Sequence, residues 1–372
     1  MRSHLVIIAL ALVAWPGSAL AVAQPSDHLS SGEEALVAYV NQHFEEQISF
    51  LERVVNINSE TMSHEGVRRV SRVFESAFKE LGFSPRWIDL TETMNRAGHL
   101  VAERPGERGV RLLLIGHMDT VHPPDGPFQT FKRDGNRVTG PGVEDMKNGL
   151  VVMLFALRAL ADIGTLDGAS ITVFLTGEEE MPGESIKQAR APLVKAAREA
   201  EIALNFEPGE PGVAVTSRRG YTGWRLETSG QSSHSSQVFT EEIGAGAIYE
   251  MARILNRFYA TLREEEALLT YNVGAVVGGT EASFDSHETA GEAFGAGPLE
   301  ANDPRDRGAS DISFAAPHVD AALDGLGGYG GGAHTTEEWL DLETMRHATQ
   351  RAAVLLYRLT RTDAPQFEGL ED

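Results

Sequence analysis

The chain has 372 residues, a length that exceeds one ordinary core and suits two domains. Its 42% hydrophobic and 23% charged content are those of a soluble globular protein, and a formal net charge of -22 excludes a nucleic-acid backbone as partner, because that calls for clustered Lys and Arg. There is no cysteine, so disulfides and thiolate metal sites are both ruled out, and any metal must be held by His, Asp and Glu.

The N-terminus reads as an export signal. Arg2 and His4 precede an apolar stretch over residues 5–15, followed by Pro16-Gly17-Ser18 and the small-residue pattern Ala19-Leu20-Ala21-Val22-Ala23. A basic start, a short apolar run and an A-x-A pattern define a secretory signal peptide over residues 1–23, with cleavage after Ala21 or Ala23. The apolar run falls short of the ~20 residues a membrane span needs. The expected mature protein has no membrane span and is periplasmic or secreted.

Helical spacing of apolar residues follows over 33–55 (Leu36, Val37, Val40, Phe44, Ile48, Leu51, Val55) and again over 67–81, with Gly82 as C-cap. Three apolar runs, 110–115, 170–175 and 202–206, lack strict alternation, and helical patterns over 150–160 and 186–200 separate them. Such runs fit strands of a mostly parallel sheet covered by helices on both faces, an α/β fold. Gly116-His117-Met118-Asp119 follows the first run, Gly177-Glu178-Glu179-Glu180 the second and Glu207-Pro208-Gly209 the third. Metal-binding groups thus collect at the carboxyl ends of the strands, the edge where open α/β sheets build their sites.

Beyond residue 216 the pattern changes. Residues 221–228 alternate like a half-exposed strand, a loop covers 230–236, a helical pattern spans 243–262, and 269–277 reads as another strand ending in Gly278-Gly279. The expected organisation is a catalytic domain over 24–216, an inserted smaller α/β lid over 217–304, and the rest of the catalytic domain over 305–372, closing with a helix over 337–360.

His117-x-Asp119 alone is weak, but residues two apart at a strand end point to one side, and Asp119 is placed to accept the second ring N–H of His117. Asp145 lies in Gly140-Pro141-Gly142-Val143-Glu144-Asp145-Met146-Lys147-Asn148-Gly149 before an apolar helix. It reads either as an N-cap or as a carboxylate bridging two cations ~3.5–4 Å apart. In Glu178-Glu179-Glu180, an acidic turn is one reading. In the other, one carboxylate binds metal while its neighbour moves a proton.

These segments, with Thr176–Gly183 as Thr-Gly-Glu-Glu-Glu-Met-Pro-Gly, Asn205-Phe206-Glu207, Gly230 to His234, Ala309-Ser310-Asp311 and the glycine-rich run from Asp324 to His334, occur in the order of one family's motifs. From about residue 33 to 356 the chain resembles the dizinc exopeptidases that include glutamate carboxypeptidase, aminoacylase, acetylornithine deacetylase and succinyl-diaminopimelate desuccinylase, and is most similar to the glutamate carboxypeptidase branch. The resemblance implies two Zn2+ per chain, with Co2+ or Mn2+ acceptable to the same ligands. It makes Asp145 the bridge, adds Glu180 and His334 on one metal and His117 and Glu207 on the other, and assigns Glu179 as general base and Asp119 as orienter of His117. A register shifted by one would make Glu178 the base and Glu179 the ligand. His234 resembles the lid histidine that donates to the substrate carbonyl oxygen, often across a homodimer.

The implied activity is hydrolysis of an amide or peptide bond beside a free carboxylate, on a small peptide or N-acyl amino acid. A carboxypeptidase releasing C-terminal glutamate is favoured over an N-acyl amino acid deacylase or dipeptidase. Arg218, Arg219, Arg305 and Arg307 are candidates for the substrate carboxylate, whereas His122, His287, His318 and His347 match no ligand position and read as loop or surface residues. One stretch departs from the family: only residues 280–307 separate Gly279 from Gly308, so the lid reads as truncated and the dimer it usually forms is in doubt. A non-catalytic metal-binding derivative is the rival that this deficit raises.

Overall fold

The computed structural model describes residues 29–215, 226–230, 239–242, 244–261, 300–301 and 310–361. The signal peptide, His234, His287, Arg218, Arg219, Arg305, Arg307, the strand expected over 269–277 and most of 280–307 lie outside the described residues.

In chain order the elements are α1 (Ser31–Gln42), α2 (Phe44–Val55), α3 (His64–Glu80), β1 (Ser84–Asp89), α4 (Thr91–Met94), β2 (Gly98–Arg104), β3 (Arg108–His117), β4 (Lys132–Asp134) and β5 (Arg137–Thr139). After an irregular turn come α5 (Asn148–Asp162), β6 (Ala169–Thr176), α6 (Ile186–Ala189), α7 (Ala191–Glu199), β7 (Ile202–Asn205), β8 (Val213–Ala214) and α8 (Ala247–Thr261). Then follow β9 (Glu300–Ala301), α9 (Ile312–Ala315), β10 (Ala321–Leu323), β11 (Gly330–Gly331), β12 (Trp339–Asp341) and α10 (Leu342–Leu359).

A six-stranded sheet runs β1-β2-β6-β3-β7-β10. β3 pairs in parallel with β6 and β7, and β10 with β7; β2 is antiparallel to both β1 and β6. The sheet is therefore mostly parallel, with β2 as the one reversed strand. Successive side chains serve opposite layers, as the period of two demands. Leu112 and Leu114 pack with α1, α2, α3, α5 and α10, while Leu113 and Ile115 pack with Leu193 and Ala197 of α7 and Ile312 and Ala315 of α9. Burial on both faces is why these strands lack polar alternation.

Three expected helices differ in their limits. The 33–55 pattern is two helices parted at His43, whose ring lies flat on Tyr39 with Nδ1 2.9 Å from the Tyr39 carbonyl oxygen. The 186–200 pattern breaks at Arg190, whose side chain is drawn inward. The C-terminal helix starts at Leu342 rather than near 337, with Asp341 accepting from the Glu343 amide at 2.9 Å. The preceding Trp339–Asp341 is β12, held by pairing with β5 and β11 in a four-stranded sheet of order β11-β12-β5-β4. That pairing overrides the local pattern, and it sets the chain around His334 beside the chain around Asp145. Of the stretch taken as lid, α8 is described and matches the helix expected over 243–262, whereas 226–228 form no strand. Among the described residues, no helix is long and apolar enough to cross a membrane.

Candidate metal centre

Parallel registry brings the strand ends together: His117 of β3 pairs with Thr176 of β6, and Ile115 with Asn205 of β7. The segments leaving these ends carry the expected ligands to one place. His117 Nε2 lies 3.0 Å from Asp145 Oδ1 and 3.7 Å from Glu207 Oε1. His334 Nε2 lies 3.2 Å from Asp145 Oδ2 and 3.0 Å from Glu180 Oε2. The two oxygens of Asp145 thus face two different imidazoles. His117, Asp145 and Glu207 form one triad and Asp145, Glu180 and His334 another, each with ligand atoms within 4.8 Å of one another.

Asp145 is not an N-cap. It sits at φ -109°, ψ 99° in the turn Val143–Lys147, before α5 begins at Asn148. Two glycines make the turn possible. Gly142 has φ +71°, and a Cβ there would meet the Thr120 methyl at 2.4 Å. A Cβ on Gly149 would stand 1.7 Å from the Phe206 carbonyl oxygen, so the start of α5 rests directly on the backbone leading to Glu207. Lys147 is fully buried and donates from Nζ to the Ile57 carbonyl at 2.9 Å. Burial pushes its pKa down to about 7.

Asp119 meets the His117 ring through its backbone rather than through the carboxylate expected. The atom within hydrogen-bond reach of His117 Nδ1 is the Asp119 carbonyl oxygen at 3.1 Å, whereas the carboxylate Oδ1 stands at 3.6 Å. The carboxylate is turned toward other donors: Thr61 Oγ1 at 2.7 Å and the amides of Glu179 at 3.0 Å and Glu180 at 3.2 Å. It therefore holds the Glu179–Glu180 turn in register with the end of β3.

The Glu triplet divides its labour by direction. Glu178 is sealed from solvent, ion-paired to Arg190 and accepting from the Gly183 amide at 2.6 Å. Arg190 also donates to Asp311 at 2.5 Å, and Asp311 accepts from Thr176 Oγ1 at 2.7 Å. Glu180 faces His334. Glu179 lies between them, and burial drives its carboxyl well above the usual range, with Glu207, Asp311 and Glu180 adding to the rise against the His117 charge.

The field here is that of crowded carboxylates. Burial and the Asp145 charge raise Glu180, while hydrogen bonds to Asp145 and Glu180 push His334 up to about 11. Glu180 Oε1 is buried with no hydrogen-bond partner among the described residues, an acceptor that a cation would satisfy. An all-oxygen-and-nitrogen donor set of this charge fits divalent cations. His117 is 1% exposed and His334 56%, so the cluster opens toward solvent on the His334 side. His334 has φ +64°, a left-handed backbone that a non-glycine residue rarely adopts.

Two residues missed from sequence stand behind this cluster. His122, taken for a loop or surface residue, is 6% exposed and lies 2.7 Å from Glu338 Oε2. Glu338 is itself buried and contacts the Asp145 turn. Glu144 is also buried, and burial, then the Asp145 and Glu338 charges, push its carboxyl up to about 8.

Residues 113–358 match the profile of Peptidase family M20/M25/M40, and the chain belongs to that family. It is 29% identical over 219 residues to Carboxypeptidase G2 of Pseudomonas sp. (strain RS-16), covering 56% of this chain and 50% of that one. It is 30% identical over 216 residues to Acetylornithine deacetylase of Salmonella arizonae, covering 54% of each. The chain thus spans about half the length of these curated relatives. Among solved structures, the di-peptidase Dug1p of Saccharomyces cerevisiae has the same fold, with TM-score 0.61 at 13% identity over 88% of this chain and 99% of that one. Human carnosine dipeptidase 1 does too, with TM-score 0.58 at 12% identity over the same shares.

Proposed function

We propose that this chain is an exported, zinc-dependent hydrolase that cleaves an amide or peptide bond beside a free carboxylate, and that it is a carboxypeptidase releasing C-terminal glutamate or a similar residue. The observation that carries this reading is the division of Asp145 between two imidazoles, each completed by a glutamate. The donor set agrees: the carboxylates of Asp145, Glu180 and Glu207 and the imidazoles of His117 and His334 are the oxygen and nitrogen ligands that divalent cations take. His117, Asp145 and Glu207 would hold one Zn2+, and Asp145, Glu180 and His334 the other. Cations so held would supply Lewis-acid polarisation of the scissile carbonyl and a more acidic water.

The chain's own groups do the rest. Glu179, whose carboxyl burial raises well above its usual range, takes the proton of the attacking water and returns it to the leaving nitrogen. Asp119 keeps that carboxylate in place through the Glu179 and Glu180 amides. His234 is assigned, on resemblance alone, to donate to the developing oxyanion. The carboxypeptidase preference rests on the likeness to Carboxypeptidase G2, and the likeness to Acetylornithine deacetylase favours an N-acyl amino acid deacylase as second reading. Export rests on the N-terminal pattern of residues 1–23.

The test is metal content of the purified mature protein, paired with hydrolysis of acyl- and peptidyl-glutamates with and without chelator. Two metals per chain with chelator-sensitive glutamate release support the reading. Two metals with no hydrolysis across the panel overturn it and point to a non-catalytic derivative with a shortened lid.

A further inference from the structure

Glu338 belongs to neither triad, yet four donors converge on it. Oε1 accepts from the Glu144 amide at 2.8 Å and the Asp145 amide at 3.0 Å. Oε2 accepts from the Gly142 amide at 3.0 Å and from His122 Nε2 at 2.7 Å, which requires the hydrogen of His122 on that nitrogen. The side chain is 1% exposed. The turn it grips is not helical at Asp145 or Met146, so the amides of 142, 144 and 145 point inward without the regular partners of a helix. A buried carboxylate receiving three amides and an imidazole forms short, charge-assisted bonds and fixes the direction of each.

The placement in sequence gives this grip its consequence. Glu338 follows His334 by four residues and immediately precedes β12, whose Trp339 pairs with Thr139 at the end of β5. β5 leads straight into Gly140 and the Asp145 turn. Two contacts therefore fasten the His334 segment to the Asp145 segment, and one of them, the Glu338 carboxylate, reaches the amide of Asp145 itself.

We propose that Glu338 is a positioning residue for the metal centre: it holds the Asp145 turn at the distance from His334 and His117 that lets one carboxylate serve both triads. This rests on the reading of those triads as cation sites. Groups that orient metal ligands in this way typically contribute about 10–100-fold in metal affinity.

The test is Zn2+ titration of chelator-stripped full-length protein against a chromophoric competitor, for wild type, Glu338→Gln and Thr349→Val. Gln keeps the shape and one acceptor but turns an NH2 group toward the amides. Thr349→Val removes the buried Gln47–Thr349 hydrogen bond between α2 and α10, remote from the site, and serves as a variant weakened in stability alone. The expected result is a 10–100-fold loss of Zn2+ affinity in Glu338→Gln, measured well below its melting temperature, with wild-type affinity in Thr349→Val. Wild-type affinity in Glu338→Gln, or an equal loss in both variants, overturns the proposal. Should Glu338→Gln fail to fold, His122→Phe, which removes a single donor, is expected to show a smaller loss in the same direction, and unchanged affinity there overturns it equally. Failure of wild type to bind Zn2+ would instead sink the cation-site reading.

Discussion

Arg190 donates to Glu178 at a point where the two side chains are 2% and 0% exposed. The same guanidinium holds Asp311, so one cation is shared by two buried carboxylates and joins the turn after β6 to the segment before α9. Removing one member of such a pair leaves buried charge uncompensated, which typically costs about 3–5 kcal/mol. Arg190→Met should therefore lower unfolding free energy in urea by about that amount. A loss below about 1 kcal/mol would mean that water reaches the site freely.

The pairing of Glu178 with Arg190 makes the two registers separable by mutation. Glu179→Gln is expected to keep the metal content of wild type and lose about 10²–10⁴-fold in turnover, the usual worth of a general base. Glu178→Gln loses half of the Arg190 pairing, so its main effect should be on stability, with turnover per folded molecule falling much less. Steady-state rates normalised to active protein check this, and the reverse ranking would restore the register with Glu178 as base.

The exposure of His334 predicts the order in which metal leaves. The triad of Asp145, Glu180 and His334 opens to solvent through a histidine 56% exposed, whereas His117 is 1% exposed. Chelator should strip the two cations in two phases, and His334→Ala should abolish the faster one while leaving about one metal per chain. Single-phase loss in wild type would contradict the assignment.

Away from the site, His99 supplies a pH signature. It is fully buried, its Nε2 lies 3.1 Å from the Ala189 carbonyl oxygen, and burial, then the Arg190 charge, pull its pKa down to about 4. The unfolded chain takes up a proton near pH ~6.5, but the folded one does not until near pH 4. Stability is therefore complete above pH ~6.5 and falls as pH drops toward 4, by on the order of 2–3 kcal/mol from this residue. His99→Gln should flatten that slope, as read from urea midpoints at pH 7 and pH 5. An unchanged slope would refute the assignment.

Crowding makes a steric prediction. In Gly149→Ala the new methyl would collide with the Phe206 carbonyl oxygen, a backbone atom that cannot rotate aside. Overpacking of this kind costs about 1–3 kcal/mol or more. Because α5 would shift against the chain leading to Glu207, metal affinity should fall along with the melting temperature.

The parallel core was legible because its strands are buried on both faces and end in polar, chemistry-bearing residues: His117, Glu178 to Glu180 and Glu207 all lie at the ends of apolar runs. The residues that converge as candidate ligands were legible through motif order, since a metal site needs particular donor types at particular strand ends. What escaped was whatever depended on partners distant in sequence. Trp339–Asp341 carries no strong strand pattern, and pairing with Arg137–Thr139 makes it a strand. Glu338 looked like one acidic residue among many, and His122 like a loop histidine, because only the fold brings them together. The Asp119 carboxylate pointed to His117 on spacing, yet the amides of Glu179 and Glu180, sixty residues on, claim it.

The grip of Glu338 on the Asp145 turn has a bearing on synthesis. A ribosome that has delivered residue 207 has made every ligand of the His117 triad, but the turn carrying Asp145 stays unfastened until residue 338 emerges. A nascent chain, or one clipped after α8, would carry four of the five proposed ligands but neither His334 nor Glu338. On the proposed ligand set, loss of the C-terminal segment is expected to weaken metal binding at a site most of whose ligands remain.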